Sequence, residues 1–254
     1  DDAAKLVTLT LGAFENIATI TAGTAAKVSE AEVIAAFKDG NTTVSYSITD
    51  SAAAIANASA EARNNATTIT ANTAATAVEA VIISSATANA LNTVFDVTDE
   101  ASKLAALASG VLNDARKITA TTDATVAEAK LLHDASATNA NTSFNISDSY
   151  ANIMADTSPA SAGVDNAATI ADAGKVTVSD ASLTVEQAAA LRGVSNLPTY
   201  VYAVVDNDNA IRIAATGDAF TQAILSGATS VVGSQGTALS FASVGAAPVF
   251  GITG

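Results

Sequence analysis

The sequence predicts an α/β repeat protein, a right-handed parallel strand-helix solenoid of 49-residue units, and three observations predict it. Short segments recur at a fixed spacing. The segments that read as strands alternate apolar with polar residues, and stripes of apolar residues at helical spacing separate them.

The spacing is explicit in two independent phases. Ser47-Ile48-Thr49-Asp50 returns as Asp96-Val97-Thr98-Asp99 and as Asn145-Ile146-Ser147-Asp148, each step being 49 residues. Ile20-Thr21-Ala22, Ile69-Thr70-Ala71 and Ile118-Thr119-Ala120 keep the same step. A fourth copy follows at a shift of 58, where Tyr202, Val204, Asp206 and Ile211 match Phe144, Ile146, Asp148 and Ile153. The nine extra residues fall within 154–175, a stretch with Pro159, Gly163 and Gly174 that reads as a loop insertion. Self-similarity at such a period marks an array in which each unit buries its apolar face against its neighbours. The aligned copies form an aromatic column (Tyr46, Phe95, Phe144, Tyr202), an Asp column (Asp50, Asp99, Asp148, Asp206) and a Glu column (Glu30, Glu79, Glu128, Glu186).

Within a unit, Tyr46-Ser47-Ile48-Thr49 has the period of a strand with one buried face. A helix is expected just after it, since Leu104, Leu107, Ala108, Val111 and Leu112 lie at i, i+3, i+4, i+7 and i+8. The other half gives a short strand at Thr68-Ile69-Thr70 and a helix whose inner residues include Val78, Val81 and Ile82. Strands joined by helices are expected to be parallel, with right-handed crossovers. In a doubly wound sheet, covered on both faces, strands read as continuous apolar runs. Here every second strand residue is Ser, Thr, Asn or Asp, so helices on one side and a polar sheet face on the other fit better. A flattened parallel β-helix with helical corners is the alternative.

The ends depart from the unit. Residues 1–13 read as a leading strand or cap, centred on Leu6-Val7-Thr8-Leu9-Thr10-Leu11; 14–237 hold the repeats; 238–254 read as a C-terminal cap or assembly segment. Caps matter because an open end exposes core and strand edges.

Composition bounds the function. Hydrophobic residues make up 49 % and aromatics only 4 %, so the core is thin and rich in Ala, Val, Ile and Leu, as in an elongated body. A net charge of -14 repels phosphate backbones and anionic lipid, which argues against nucleic-acid and membrane partners. No stretch reaches the roughly 18 apolar residues of a spanning helix. With no Cys there is no disulfide framework, thiolate metal site or cysteine nucleophile. Asp1-Asp2-Ala3 lacks the basic and apolar regions of a signal peptide, which leaves a removed signal, another export route and a longer parent chain all open.

Candidate chemistry is sparse. Stacked Asp carboxylates suggest calcium, and Asp206 and Asp208, in Asp206-Asn207-Asp208-Asn209, are the best ligands on offer, without the Gly and distal Glu of an EF-hand loop. The simpler reading is N-capping, because each Asp stands where a strand gives way to a helix. The Glu column has a parallel reading, since Thr76-Ala77-Val78-Glu79 and Thr125-Val126-Ala127-Glu128 are capping boxes. His133 is the sole histidine and sits at a helix end, so no triad or His cluster is expected. No phosphate-binding glycine motif occurs. The polar strand residues Ser47, Thr49, Thr70, Thr98, Thr119, Asn145, Ser147 and Thr177 are expected to form a hydroxyl-rich face suited to glycans, or to ice.

Tyr46-Ser47-Ile48-Thr49-Asp50-Ser51-Ala52-Ala53 and the run from Ile118 to Ala129 resemble the strand-helix repeats of very large, acidic secreted proteins of marine bacteria and cyanobacteria. The likeness spans about residues 14–244. It implies the company of adhesins, surface layers and extracellular fibres. The function expected is an extracellular or cell-surface structural protein that self-associates into a filament or coat. The alternative is an adhesin segment binding a glycan or surface through the Ser/Thr face. Neither reading is enzymatic, neither needs a cofactor, and calcium is the one ion left open.

Overall fold

The computed structural model describes residues 1–9, 17–39, 41–86, 92–136, 141–155, 166–195, 198–233, 240–241 and 250–251. Strands and helices alternate along the chain, and the strand pairs whose register is described are parallel except for one near the C-terminus. Residues fall into two compact units, 1–121 with 134–142, and 122–133 with 143–254.

The first unit begins with helix α1 (Ala3–Leu6) and continues through β1 (Thr19–Thr21), α2 (Val28–Ala35), β2 (Thr43–Asp50), α3 (Ala52–Asn57), α4 (Ala60–Asn65) and β3 (Ala66–Ala71). It then runs through α5 (Ala77–Ser84), β4 (Thr93–Val94), β5 (Asp96–Asp99), α6 (Ala101–Ala105), α7 (Ser109–Asp114), β6 (Lys117–Ala120) and β7 (Asn141–Ser143). Its sheets have the orders β1-β2-β3-β4 and β5-β6-β7, so each strand lies beside the next in the chain. The register is regular: Ile20 lies opposite Val44, Ile48 opposite Ile69, and Val97 opposite Ile118. All three isoleucines at the centres of the short strands, Ile20, Ile69 and Ile118, are buried. This is the apolar half of the alternation, each side chain being worth about 1.5–3 kcal/mol on burial.

The longer strand of each pair changes neighbours part-way along. Residues 43–45 of β2 pair with β1, and residues 46–50 pair with β3, with a register shift between Tyr46 and Ser47. Phe95 occupies the same place between β4 and β5. Both aromatics are at most 1 % exposed, and the Tyr46 hydroxyl donates to the Ala62 carbonyl on α4 at 2.7 Å. Each ring is thus buried at the point where the strand changes partner, and the tyrosine's polar end finds a hydrogen-bond acceptor.

Two helix expectations change. The single helix drawn through Leu104–Leu112 is two, α6 and α7, separated by Ala108 in extended backbone (φ -61, ψ 141). Leu104 and Leu112 are buried, but Ala108 is exposed. The equivalent break between α3 and α4 is made by Ser59, whose Oγ accepts from the Ala62 amide at 3.1 Å and starts a fresh helix. In α5 the inner face is Ala77, Ala80 and Ile83, whereas Val78 and Val81 are 70 % and 45 % exposed and Ile82 is half-buried. Tight helix-sheet contact favours alanine inside, so size misidentifies the buried face.

The second unit holds most of α8 (Val126–Ser136), then β8 (Ile146–Asp148), α9 (Tyr150–Met154), α10 (Asn166–Asp172), β9 (Lys175–Val178) and α11 (Val185–Val194). After these come β10 (Thr199–Val201), β11 (Val204–Asp206), α12 (Asp208–Thr216), α13 (Ala219–Ser226), β12 (Val231–Gly233), β13 (Ser240–Phe241) and β14 (Phe250–Gly251). β9 lies between β8 and β10, β11 pairs with β12, and β13 and β14 form the antiparallel pair. The rule of the first unit holds here: Ile146 faces Val176, Val204 faces Val231, and the buried Tyr202 donates to the Ile224 carbonyl on α13 at 2.8 Å. Helix α10 matches α7 at the longer shift, which narrows the insertion to the neighbourhood of 156–165, outside the described residues.

The expected leading strand is not formed where it can be seen. Ala3–Leu6 are helical and Val7–Leu9 follow as a turn, while 10–13 lie outside the described residues. Of the segment 238–254, only Ser240–Phe241 and Phe250–Gly251 are described.

Candidate functional site

The most regular polar feature lies where each strand meets a helix. Asp50 ends β2, and its Oδ2 accepts from the amide of Val28, the first residue of α2, at 3.0 Å. Asp99 does the same for Ala77 of α5, Asp148 for Val126 of α8 and Asp206 for Val185 of α11, each at 3.0 Å. The second oxygen of each accepts from the residue that follows, Ser51, Glu100, Ser149 or Asn207. Capping is therefore the role of the column, but not of the helix next in the chain. In three copies that helix is capped by Ser51, Ser149 or Asn207, and α6 has Glu100 at its N-cap with no side-chain cap bond, whereas the Asp serves a helix that begins 21 or 22 residues earlier.

The other phase has the same device with a different acceptor. Thr24 Oγ1 accepts from Ala3 of α1 and Thr73 Oγ1 from Ala52 of α3, both at 3.0 Å, and the carboxylate of Asp180 accepts from Tyr150 of α9. Each strand-end loop thus supplies an acceptor to the first orphan amide of an earlier helix.

These bonds set the electrostatics. The Val28 amide, first among its neighbours, holds the Asp50 carboxyl below its ordinary value. For Asp99 and Asp148, burial works in the opposite direction and is outweighed by their amide partners together with Lys103 and Asn152 respectively.

The calcium candidates fall into this scheme. Asp206 spends Oδ2 on Val185, and Oδ1 on the amide and Nδ2 of Asn207. Asp208 is the first residue of α12, and its carboxylate stands beside Gly233, where an added Cβ would lie 2.0 Å from Oδ1. Among the described residues, no three His, Cys, Asp or Glu gather in one place.

Glu79 and Glu128 close their boxes, accepting from Thr76 and Thr125 at 2.8 Å, and Glu30 accepts from Lys27, which has no acceptor to return. In the fourth copy the partner is Gln187, not Glu186: Gln187 Oε1 accepts from Thr184 at 2.9 Å and its amide donates back at 3.1 Å. Seven residues separate Val176 from Leu183 where six separate Ile118 from Ala124, so the helix starts one residue late. The S/T-x-x-Q form was present in the sequence and was hidden by aligning on Glu.

The hydroxyl-rich residues do line up. Ser47 lies opposite Thr68, Thr49 opposite Thr70, Thr98 opposite Thr119 and Ser147 opposite Thr177. All eight residues of the expected face are half-buried. His133 lies within α8, with Nδ1 2.9 Å from Asp172 Oδ2. A groove of about 650 Å³ runs between α11, α12 and α13, lined by Glu186, Asp206, Ile213, Asp218 and Thr221 among others. No described helix is long and apolar enough to cross a membrane.

Comparison with protein-family models, with curated protein sequences and with solved structures finds no match to this chain.

Proposed function

We propose that the chain is a right-handed parallel strand-helix solenoid that serves as an extracellular structural protein, self-assembling into a filament or surface coat. One observation carries this reading. The acceptor that closes each helix comes from a later strand-end loop, and the same bond recurs for α2, α5, α8 and α11. Every layer is thus completed by the next through one repeated, head-to-tail relationship. A relationship of that kind has no built-in end, and when copies are joined by it they form an open filament. Carboxylates and hydroxyls spent on backbone amides leave little for catalysis, so the role is mechanical. The acidic surface and absence of Cys suit an exposed, salt-tolerant material outside the cell.

The test is electron microscopy of the purified chain over a range of concentrations. Ordered fibres or sheets are expected. Monodisperse particles at all concentrations would reject the reading.

A second reading rests on the aligned hydroxyls of Ser47, Thr68, Thr98 and Thr119: an adhesin segment that holds a glycan. Saturable glycan binding by a monomer, with no polymer, would favour it.

A further inference from the structure

We infer that the groove between α11, α12 and α13 is a docking site for a basic amphipathic helix of a partner protein, one that sets lysine or arginine beside aliphatic side chains. Docking here goes beyond the filament reading and needs no polymer.

The groove is a departure from the repeat, and two local changes make it. In the first unit α2 packs on α4, and a side chain of α2 spans the space between them. Glu32, five residues past the N-cap Lys27, accepts from the amide and the hydroxyl of Ser59, the N-cap of α4, at 2.6 and 2.7 Å. In the second unit α11 packs on α13 in the same way. The residue five past its N-cap Thr184 is Ala189, where the other copies have Glu32, Val81 and Lys130. An alanine cannot span the space. Helix α12 is also longer, nine residues against six in α3. The N-cap of α13, Asp218, therefore comes twelve residues after Asp206, where Ser59 comes nine after Asp50.

The lining states what would fill the gap. Its apolar part is Ala189, Ala210, Ile213, Ala214 and Ile224. Ile213 is 62 % exposed, and Phe220, two residues past Asp218, is 46 % exposed. An occupant with aliphatic side chains would take such surface out of water.

The charge on the lining has one sign. Glu186, Asp206 and Asp218 contribute to it, and no Lys or Arg does. Three helices start there, each worth roughly half a positive charge, and three carboxylates outweigh them. The cations of these helices are engaged elsewhere, Arg212 with Asn209 and Arg192 with Tyr202. Asp206 is occupied by Val185 and Asn207, but Glu186 is not: Gln187 closes the capping box of α11, and no described residue donates a hydrogen bond to Glu186. Asp218 takes the amide and then the hydroxyl of Thr221 on Oδ1, and these bonds hold its carboxyl below its ordinary value. Carboxylates on α11 and at the start of α13, beside an apolar lining, complement a cation on an apolar stem. An amphipathic helix carries both on one face, and a groove between helices is a recurrent seat for one.

The probe is a fluorescein-labelled helical peptide of Lys, Leu and Ala, with leucines along one face and lysines beside them, titrated with the full chain by fluorescence anisotropy. Saturable binding is expected. Glu186→Gln combined with Asp218→Asn, in which Asn keeps the cap, should weaken it at least about tenfold. Ala189→Leu fills the groove without changing the charge and should weaken it as much. Glu61→Gln combined with Glu100→Gln removes two carboxylates elsewhere and should leave it unchanged. An equal loss in that control would mean that the net charge of -14 attracts the peptide, and would overturn the inference. Full-strength binding to a folded Ala189→Leu chain would also overturn it, as would no saturable binding to the unmodified chain. If Ala189→Leu lowers the thermal midpoint so far that the chain is unfolded, the two carboxylate variants decide. Spermidine that displaces the peptide, and whose own binding responds to the same variants, would reassign the groove to a free polyamine.

Discussion

The Asp50 carboxylate and the Val28 amide, 22 residues apart in sequence and 3.0 Å apart in space, tie the end of one strand to the start of an earlier helix. Asp50→Ala removes that acceptor and the one for Ser51, and is expected to cost about 1–3 kcal/mol, the usual range for a lost cap and an orphaned amide. Asp50→Asn keeps one acceptor oxygen and should cost less. Urea denaturation of both variants decides, and unchanged midpoints would remove the structural role of the column.

Acid should loosen the same junctions. Asp50, Asp99 and Asp148 have lowered carboxyl pKa values in the folded chain. The unfolded state therefore binds protons more readily, and the stabilisation is complete above about pH 4 and disappears as pH falls through the folded-state values. Thermal midpoints between pH 7 and pH 2 should drop mainly below pH 4, and Asp50→Asn should flatten part of that drop.

The tyrosines give the opposite limb. Burial, assisted by Glu32 and Glu61, pushes the Tyr46 phenol up; burial likewise raises Tyr200, to about 12. Both contribute stability that is complete below about pH 10 and lost as pH rises through the folded-state values. Tyr46→Phe leaves the Ala62 carbonyl without its donor but keeps the ring, as Phe95 and Phe144 do, so about 1 kcal/mol is expected. Tyr46→Ala should cost about 3–5 kcal/mol, the range for a deleted core aromatic.

Helix α5 separates size from burial. Val78→Ala, at an exposed site, should change stability by less than about 0.5 kcal/mol. Ile83→Ala, at a fully buried site, should cost about 2–5 kcal/mol. A larger effect at Val78 than at Ile83 would mean that the helix presents its other face.

Calcium should have little to hold. Both Asp206 oxygens are already bonded to Val185 and Asn207. A chelator is expected to leave the melting temperature unchanged. A rise of several degrees on adding calcium would restore Asp206 and Asp208 as ligands.

What the sequence determined by itself was the period and the alternation of the strands. Ile48, Ile69, Val97 and Ile118 were legible as buried because strand side chains alternate, and the parallel order followed from helices between strands. The Thr76–Glu79 box was legible because its partners lie within one turn. The tertiary structure alone decided three things. It turned the Asp column from local caps into links between distant segments, because Val28 and Asp50 meet only once the strands are in register. It put Ala80 rather than Val81 inside α5, because the distance between helix and sheet, which no sequence pattern records, selects for small side chains. It broke one amphipathic run into α6 and α7, because two short helices, not one, fit between successive strands.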